Sequence, residues 1–137
     1  MELKKTPNLM TKALSILARR EHSRWELAQK LSSWTEDKNL IEAVLNECET
    51  QNWLNETRFV EAYIRYRSQK LYGPKKIAYE LQQKKIASEL IETSLSKSNI
   101  NWEELSERAK QKKFGSAEAK SSLEKAKHQQ YLYQRGF

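Results

Sequence analysis

The chain has a single cysteine, two histidines, two prolines and three glycines among 137 residues. Each scarcity closes off a class of chemistry. One cysteine cannot form an internal disulfide, which fits a reducing compartment, and Cys48 is expected to pack as a small hydrophobe. One Cys and two isolated His residues cannot supply the clustered ligands of a zinc site. A phosphate-cradling loop needs several glycines followed by Lys and Ser or Thr, whereas Gly73, Gly115 and Gly136 stand far apart. No run of about 18 apolar residues occurs, so no membrane helix is expected. Met1-Glu2-Leu3-Lys4-Lys5 has no apolar segment behind it that could serve as a secretory signal. His22 and Ser23 are neighbours, but adjacency is not a nucleophile–base geometry, and His22 reads as a surface residue near a helix end. The expectation is a cytoplasmic, monomeric, non-enzymatic protein without metal or cofactor.

What the chain has in quantity is charge. Charged residues make up 31% and hydrophobic ones 38%, with a net charge of +7. With so little Gly and Pro, this suggests a helix-rich protein of thin core and large surface. The charge is uneven. Residues 1–55 hold eight Lys/Arg and eight Asp/Glu, residues 56–100 hold nine against five, and residues 101–137 eight against five. A neutral first third and two basic thirds point to a polyanionic partner or an acidic protein groove; the alternative is a solvated basic surface.

Apolar residues recur at helical spacing throughout, and no segment alternates as a strand would. A first helix is expected from Thr6-Pro7, with Leu9, Ala13, Leu14, Ile16 and Leu17 on its apolar side. Ser23-Arg24-Trp25-Glu26 reads as a capping box ahead of Leu27 and Leu31, and Ser33-Trp34-Thr35-Glu36 as another ahead of Ile41, Val44, Leu45 and Cys48. The pattern then restarts with Phe59, Val60, Tyr63 and Ile64. Ser23, Leu27 and Leu31 correspond to Gly73, Ile77 and Leu81 at an offset of 50, and Ile41 and Leu45 to Ile91 and Leu95 at the same offset. Asn101-Trp102-Glu103-Glu104 opens a third copy, whose next helix is expected from about Ala117. The fold expected is all-α: tandem three-helix repeats at 1–55, 56–100 and 101–137, in an elongated, curved array, with the third repeat lacking its last helix. Tyr131, Leu132 and Phe137 would then lose part of their cover, leaving a frayed carboxyl-terminal unit. Trp25, Trp34, Trp53 and Trp102 sit near helix starts and turns and read as clamps between helices.

The densest positive charge surrounds Leu71-Tyr72-Gly73-Pro74-Lys75-Lys76-Ile77. From Arg65 to Lys76 there are five cations and no anion. Gly73 is expected to take backbone angles that a side chain would penalise, and Pro74 to open a helix. On charge alone, the candidate contact cluster is Arg65, Arg67, Lys70, Lys75 and Lys76, extended by Lys110, Lys112, Lys113, Lys125, Lys127 and Arg135. Tyr72 is the candidate for stacking on a base; Tyr63 is expected to bury its ring between helices.

Several of these segments resemble the RecX regulatory proteins. They are Ala13-Leu14-x-x-Leu17-x-x-Arg20-x-x-Ser23-x-x-Glu26-Leu27-x-x-Lys30-Leu31, then Trp53-Leu54-Asn55-Glu56-x-Arg58-Phe59, then Tyr72-Gly73-Pro74-x-x-Ile77-x-x-Glu80-Leu81-x-x-Lys84, and Tyr131-Leu132-x-x-Arg135-Gly136-Phe137. Together they cover nearly the whole chain in order. The resemblance implies a protein that lies in the groove of the RecA–DNA filament and inhibits strand exchange, ATP hydrolysis and coprotease activity. It also implies an association with DNA itself, and so a modulator of DNA repair and the SOS response. Two other functions fit the residues: a stand-alone helical DNA-binding module, or a helical scaffold for an acidic protein. In departures from the family pattern, Lys85 stands where glycine is usual, so the helix there should run on or turn under strain. Ala87 replaces a capping Ser, and Ser88 is expected to take over that role.

Overall fold

The structure, a computed structural model, describes the backbone of residues 2–137 and the side chains of residues 8–137. The described residues form eight helices and no strand: α1 (Glu2–Arg19), α2 (Arg24–Leu31), α3 (Lys38–Thr50), α4 (Glu56–Gln69), α5 (Pro74–Gln83), α6 (Ser88–Lys97), α7 (Trp102–Phe114) and α8 (Ser122–Gln134). This is the tandem helical repeat expected. The helices sort into two compact units, one holding residues up to Val60 with Lys84–Ile86, the other Glu61–Gln83 with Ala87–Phe137.

In the first unit, α1, α2 and α3 pack on one another. Their core is Leu9, Ala13, Leu27, Leu31, Ile41, Val44, Leu45, Cys48 and Leu54. Leu27 and Leu31 lie four apart, on one face of α2, and both are fully buried. Cys48 is the small hydrophobe expected; burial pushes its thiol pKa up. The Ser23 hydroxyl accepts from the Glu26 N–H while the Glu26 carboxylate accepts from the Ser23 N–H, so the expected capping box forms. The second expected box does not. Ser33 donates its hydroxyl to the Lys30 carbonyl, and Asp37 caps α3 instead, accepting from Leu40 N–H. Nor does α1 wait for Thr6-Pro7, which lie inside it.

In the second unit α5 packs on α6 and α7 on α8. Ile77, Leu81 and Ile91 are fully buried, as their counterparts Leu27, Leu31 and Ile41 are or nearly so. A further cluster joins Leu71, Leu105 and Ala109 with Ile100, Trp102, Leu132 and Phe137. Leu132 and Phe137 of the carboxyl-terminal turn are thereby partly buried, against α7 and Leu71 after α4. Helix α8 begins only at Ser122, capped by Ser121, rather than near Ala117. It buries no residue fully, and Leu123 is 66% exposed.

Helix ends explain several local features. Asn52, Leu71, Lys85 and Asn99 all have positive φ just after a helix. At the end of α4, Tyr72 N–H bonds the Arg67 carbonyl and Leu71 N–H that of Ser68, the paired bonds of a Schellman motif. Glycine normally holds the position that Leu71 occupies; its burial in the cluster above offsets the backbone strain. Lys85 turns the chain in the same way, so α5 does not run on. Ser88 fails to replace the missing cap: the cap position is Ala87, and no side chain bonds the first turn of α6.

Three tryptophans depart from the clamp role. Trp25, Trp34 and Trp53 are 38%, 58% and 42% exposed, whereas Trp102 packs against the cluster of Leu71, Leu105 and Ala109. His22 departs the other way: it is 1% exposed.

Candidate functional site

The α4–α5 corner is built from both ends of the second unit. Arg67, in the last turn of α4, grips Glu80 of α5 with two bonds of 2.7 and 2.9 Å, and the Tyr63 hydroxyl donates to the same carboxylate at 2.9 Å. Tyr72 lies between the helices with the Arg67 guanidinium 3.8 Å from its ring centre. Arg135, from the far end of α8, brings a second guanidinium to 3.8 Å from the same ring. Arg135 also donates to the carbonyls of Leu71 and Lys70.

The backbone of the carboxyl-terminal turn finishes the first turn of α5. Gly73 N–H donates to the Arg135 carbonyl at 2.7 Å and Lys75 N–H to the Gly136 carbonyl at 3.0 Å. These are donors that a helix start leaves without internal partners. Gly73 is needed for closeness rather than for unusual angles, since its φ is not positive. A Cβ there would overlap the Gly136 carbonyl and come within 2.7 Å of the Phe137 nitrogen. Gly136 is pressed in turn against Lys76 and has φ of 97°, so both glycines are required.

Lys75 and Lys76 follow at the amino-terminal end of α5, with no acidic residue in that turn. Cations are disfavoured there by the helix dipole, so the corner concentrates positive potential without internal compensation. Lys70, Lys75 and Lys76 make no ion pair among the described residues; the Lys76 ammonium lies 5.4 Å from the Tyr72 ring centre and that of Lys70 5.6 Å from Tyr66. Because Gly73 and Lys75 N–H groups are already bonded, an anion here would meet side-chain charge rather than these two amides.

The candidate residues from the sequence are thus placed unevenly. Arg67, Lys70, Tyr72, Lys76 and Arg135 come together at the corner; Lys75 is exposed in the same turn, and Arg65 is exposed on α4. Lys112 lines a shallow depression with Gln69, Leu71, Arg108 and Gln111 beside it. Lys110 is paired with Glu107 at 3.2 Å, and the Lys113 ammonium lies 5.7 Å from the Tyr131 ring centre. Lys125 and Lys127 are exposed on α8, Lys127 beside Glu118 and Glu124. Glu80 carries the alignment of Arg67, and charge counting missed it. Its spacing of four from Lys76 and three from Ile77 was visible, but the pairing with Arg67 crosses a turn.

Two family models match the chain: the RecX first three-helix domain over residues 10–48 and the RecX second three-helix domain over residues 55–95. "Regulatory protein RecX" of Cronobacter sakazakii is 36% identical over 139 residues, covering 94% of this chain and 84% of that protein. The protein of the same name from Pseudomonas putida is 38% identical over 125 residues, covering 91% and 80%. Among solved structures, RecX from Lactobacillus salivarius superposes with a TM-score of 0.82 at 21% identity, covering 98% of this chain and 90% of that one. A second structure titled regulatory protein RecX gives 0.83 at 20% identity, covering 96% and 68%.

Proposed function

The chain belongs to the RecX family of regulatory proteins, and we propose that it binds the RecA recombinase and the filament that RecA forms on single-stranded DNA. On this reading it is a non-enzymatic, cytoplasmic monomer that restrains strand exchange, ATP hydrolysis and coprotease activity, and so tunes DNA repair and the SOS response. The observation that carries the reading is the uncompensated charge of Lys70, Lys75 and Lys76 on a corner held rigid by Arg67–Glu80 and by the docked Arg135-Gly136-Phe137 turn. Arg65, Lys112 and Lys113 extend the contact, with Lys110, Lys125 and Lys127 outside its centre. Arg67, Tyr72 and Arg135 have their main partners within the protein and serve to shape the surface.

The test is RecA on single-stranded DNA. At equimolar ratio or below, the protein slows ATP hydrolysis and repressor cleavage; no change in either sinks the reading. Replacing Lys70, Lys75 and Lys76 together by Ala raises the half-inhibitory concentration roughly tenfold, at about 0.5 kcal/mol per exposed charge. Binding to RecA alone, DNA alone and the filament at two salt concentrations separates this function from a stand-alone DNA-binding module and from a scaffold for an acidic protein. Tightest binding to the filament supports the first.

A further inference from the structure

The lysines of this chain end in different company. The ammonium groups of Lys84 and Lys110 meet the carboxylates of Glu26 and Glu107, at 2.8 and 3.2 Å. That of Lys30, in the last turn of α2, meets an imidazole instead: His22 Nε2 lies 2.7 Å from its Nζ. His22 is 1% exposed, and its Nδ1 lies 3.0 Å from the Arg20 carbonyl. Both contacts are bonds only in a neutral ring that donates through Nδ1 and accepts through Nε2. A buried group able to take up a proton is thus aimed at an amine, and the lysine that carries the amine is itself exposed.

The pair borders a depression of about 590 Å³, whose walls also hold Lys12, Arg19, Arg20 and Trp34. Arg20 is engaged with Glu26 at 3.1 Å, whereas Lys12 and Arg19 make no ion pair among the described residues. Glu36 and Asp37 line the adjoining depression, which shares Lys12 and Trp34, so the part that attracts anions is the stretch of Arg19 and Lys30. Burial lowers the Lys30 pKa, and the charges of Arg20, Arg19 and Lys84 act the same way against the opposing pull of Glu26. Lys30 therefore holds more free amine near neutral pH than an isolated lysine does. Burial also lowers the His22 pKa, which keeps its ring neutral there.

We propose that Lys30 is a site of covalent acylation by small acyl phosphates, with His22 as the base and Arg19 as the seat of the phosphate. The chain is the substrate of this modification and turns nothing over. The lone pair of Lys30 Nζ attacks the acyl carbon. An N–C bond forms, and the bond from that carbon to the phosphate oxygen breaks. The phosphate leaves with the electron pair, and the proton lost from Nζ passes to His22 Nε2 and on to solvent. The product suits the wall as well as the reactant does. An acylated Nζ keeps one N–H to donate to Nε2, while the depression loses a positive charge. Neither RecA nor nucleic acid enters the inference, so it stands or falls apart from the reading above.

The test exposes the full chain to acetyl phosphate from about pH 6.5 to about pH 9 and follows each lysine by mass spectrometry of Glu-C peptides. Lys38, exposed at the start of α3, is the internal reference. Near neutral pH the initial rate at Lys30 exceeds that at Lys38 at least about tenfold, a small part of what a placed base supplies, and its rise with pH has the lower midpoint. Arg19→Ala raises the half-saturating acetyl phosphate concentration about fivefold at unchanged limiting rate. The same variant leaves labelling by acetic anhydride, which has no charge to seat, as it was. His22→Gln brings Lys30 down to the rate of Lys38, with far-UV circular dichroism to show that the chain is folded. Should this buried substitution unfold the chain, the unaltered protein's pH profile and Arg19→Ala, at an exposed position, decide the matter. Equal rates at Lys30 and Lys38 overturn the proposal. So does a preference for Lys30 that acetic anhydride shows as strongly as acetyl phosphate, or one that survives His22→Gln in a folded chain.

Discussion

Helices α2 and α5 hold corresponding places in their repeats, with Leu27 and Leu31 in one matching Ile77 and Leu81 in the other, but their first turns are completed by different means. Helix α2 is closed locally, by the reciprocal bonds of Ser23 and Glu26. Helix α5 has no side-chain cap at Gly73 and takes its acceptors from the carbonyls of Arg135 and Gly136. A repeat position can therefore keep its buried face while its polar requirement passes from a neighbouring side chain to a distant piece of backbone. The difference matters for the surface. Around Ser23 a carboxylate is built in and Arg20 and Lys84 converge on it, whereas the first turn of α5 holds no acidic residue, and Lys75 and Lys76 make no ion pair among the described residues.

The contrast can be broken most strongly at Gly73. Gly73→Ala forces a Cβ into the Gly136 carbonyl, and urea denaturation should show a loss of about 3 kcal/mol. A loss below 0.5 kcal/mol would mean that the turn does not dock there. Acid should act next, and on the other corner. Burial alone would raise the Glu26 pKa, but bonds from Arg20, Lys84 and the Ser23 N–H bring it down to about 2. A carboxyl with a depressed folded pKa contributes stability above its unfolded value and loses it as pH falls. Between pH 4.5 and 2 the first corner should lose about 2 to 3 kcal/mol, and Glu26→Gln should flatten that part of the profile. His22, its pKa lowered chiefly by burial, has the same sign and begins to weaken the fold below its ordinary value of 6.5. Arg135→Met follows. It keeps a long apolar stem but removes the donors to Leu71 and Lys70, for a loss of about 1.5 kcal/mol and a shift in near-ultraviolet circular dichroism from Tyr72. Ser23→Ala should be the smallest, about 1 kcal/mol.

What sequence could show was whatever is local. The Ser23–Glu26 box, the paired stripes Leu27/Leu31 and Ile77/Leu81, and the cap at Asn101 all act within four residues, and helical period alone reveals them. Ser33 failed as a cap because a residue type suited to caps also bonds back to a preceding carbonyl, here that of Lys30, and Asp37 was better placed. The burial of His22 was hidden because its partners, a carbonyl and an ammonium, leave no signature in composition. At the second corner the charge was legible and the architecture was not. Tyr72 and Arg135 are remote in sequence, and nothing at residue 73 says that its glycine makes room for residue 136.

The bond from Gly73 to Arg135 also sets an order of assembly. Ser23 and Glu26 find each other across three residues, so α2 is capped as soon as it forms. Gly73 waits for a carbonyl 62 residues further along. Closing a loop that long loses roughly 3 kcal/mol more chain entropy than closing the short one. On a growing chain α4 and α5 are complete well before their closing strap has been synthesised. The corner with the greatest positive charge is then the last to become rigid, and until that moment Tyr72 has only one of its two arginines.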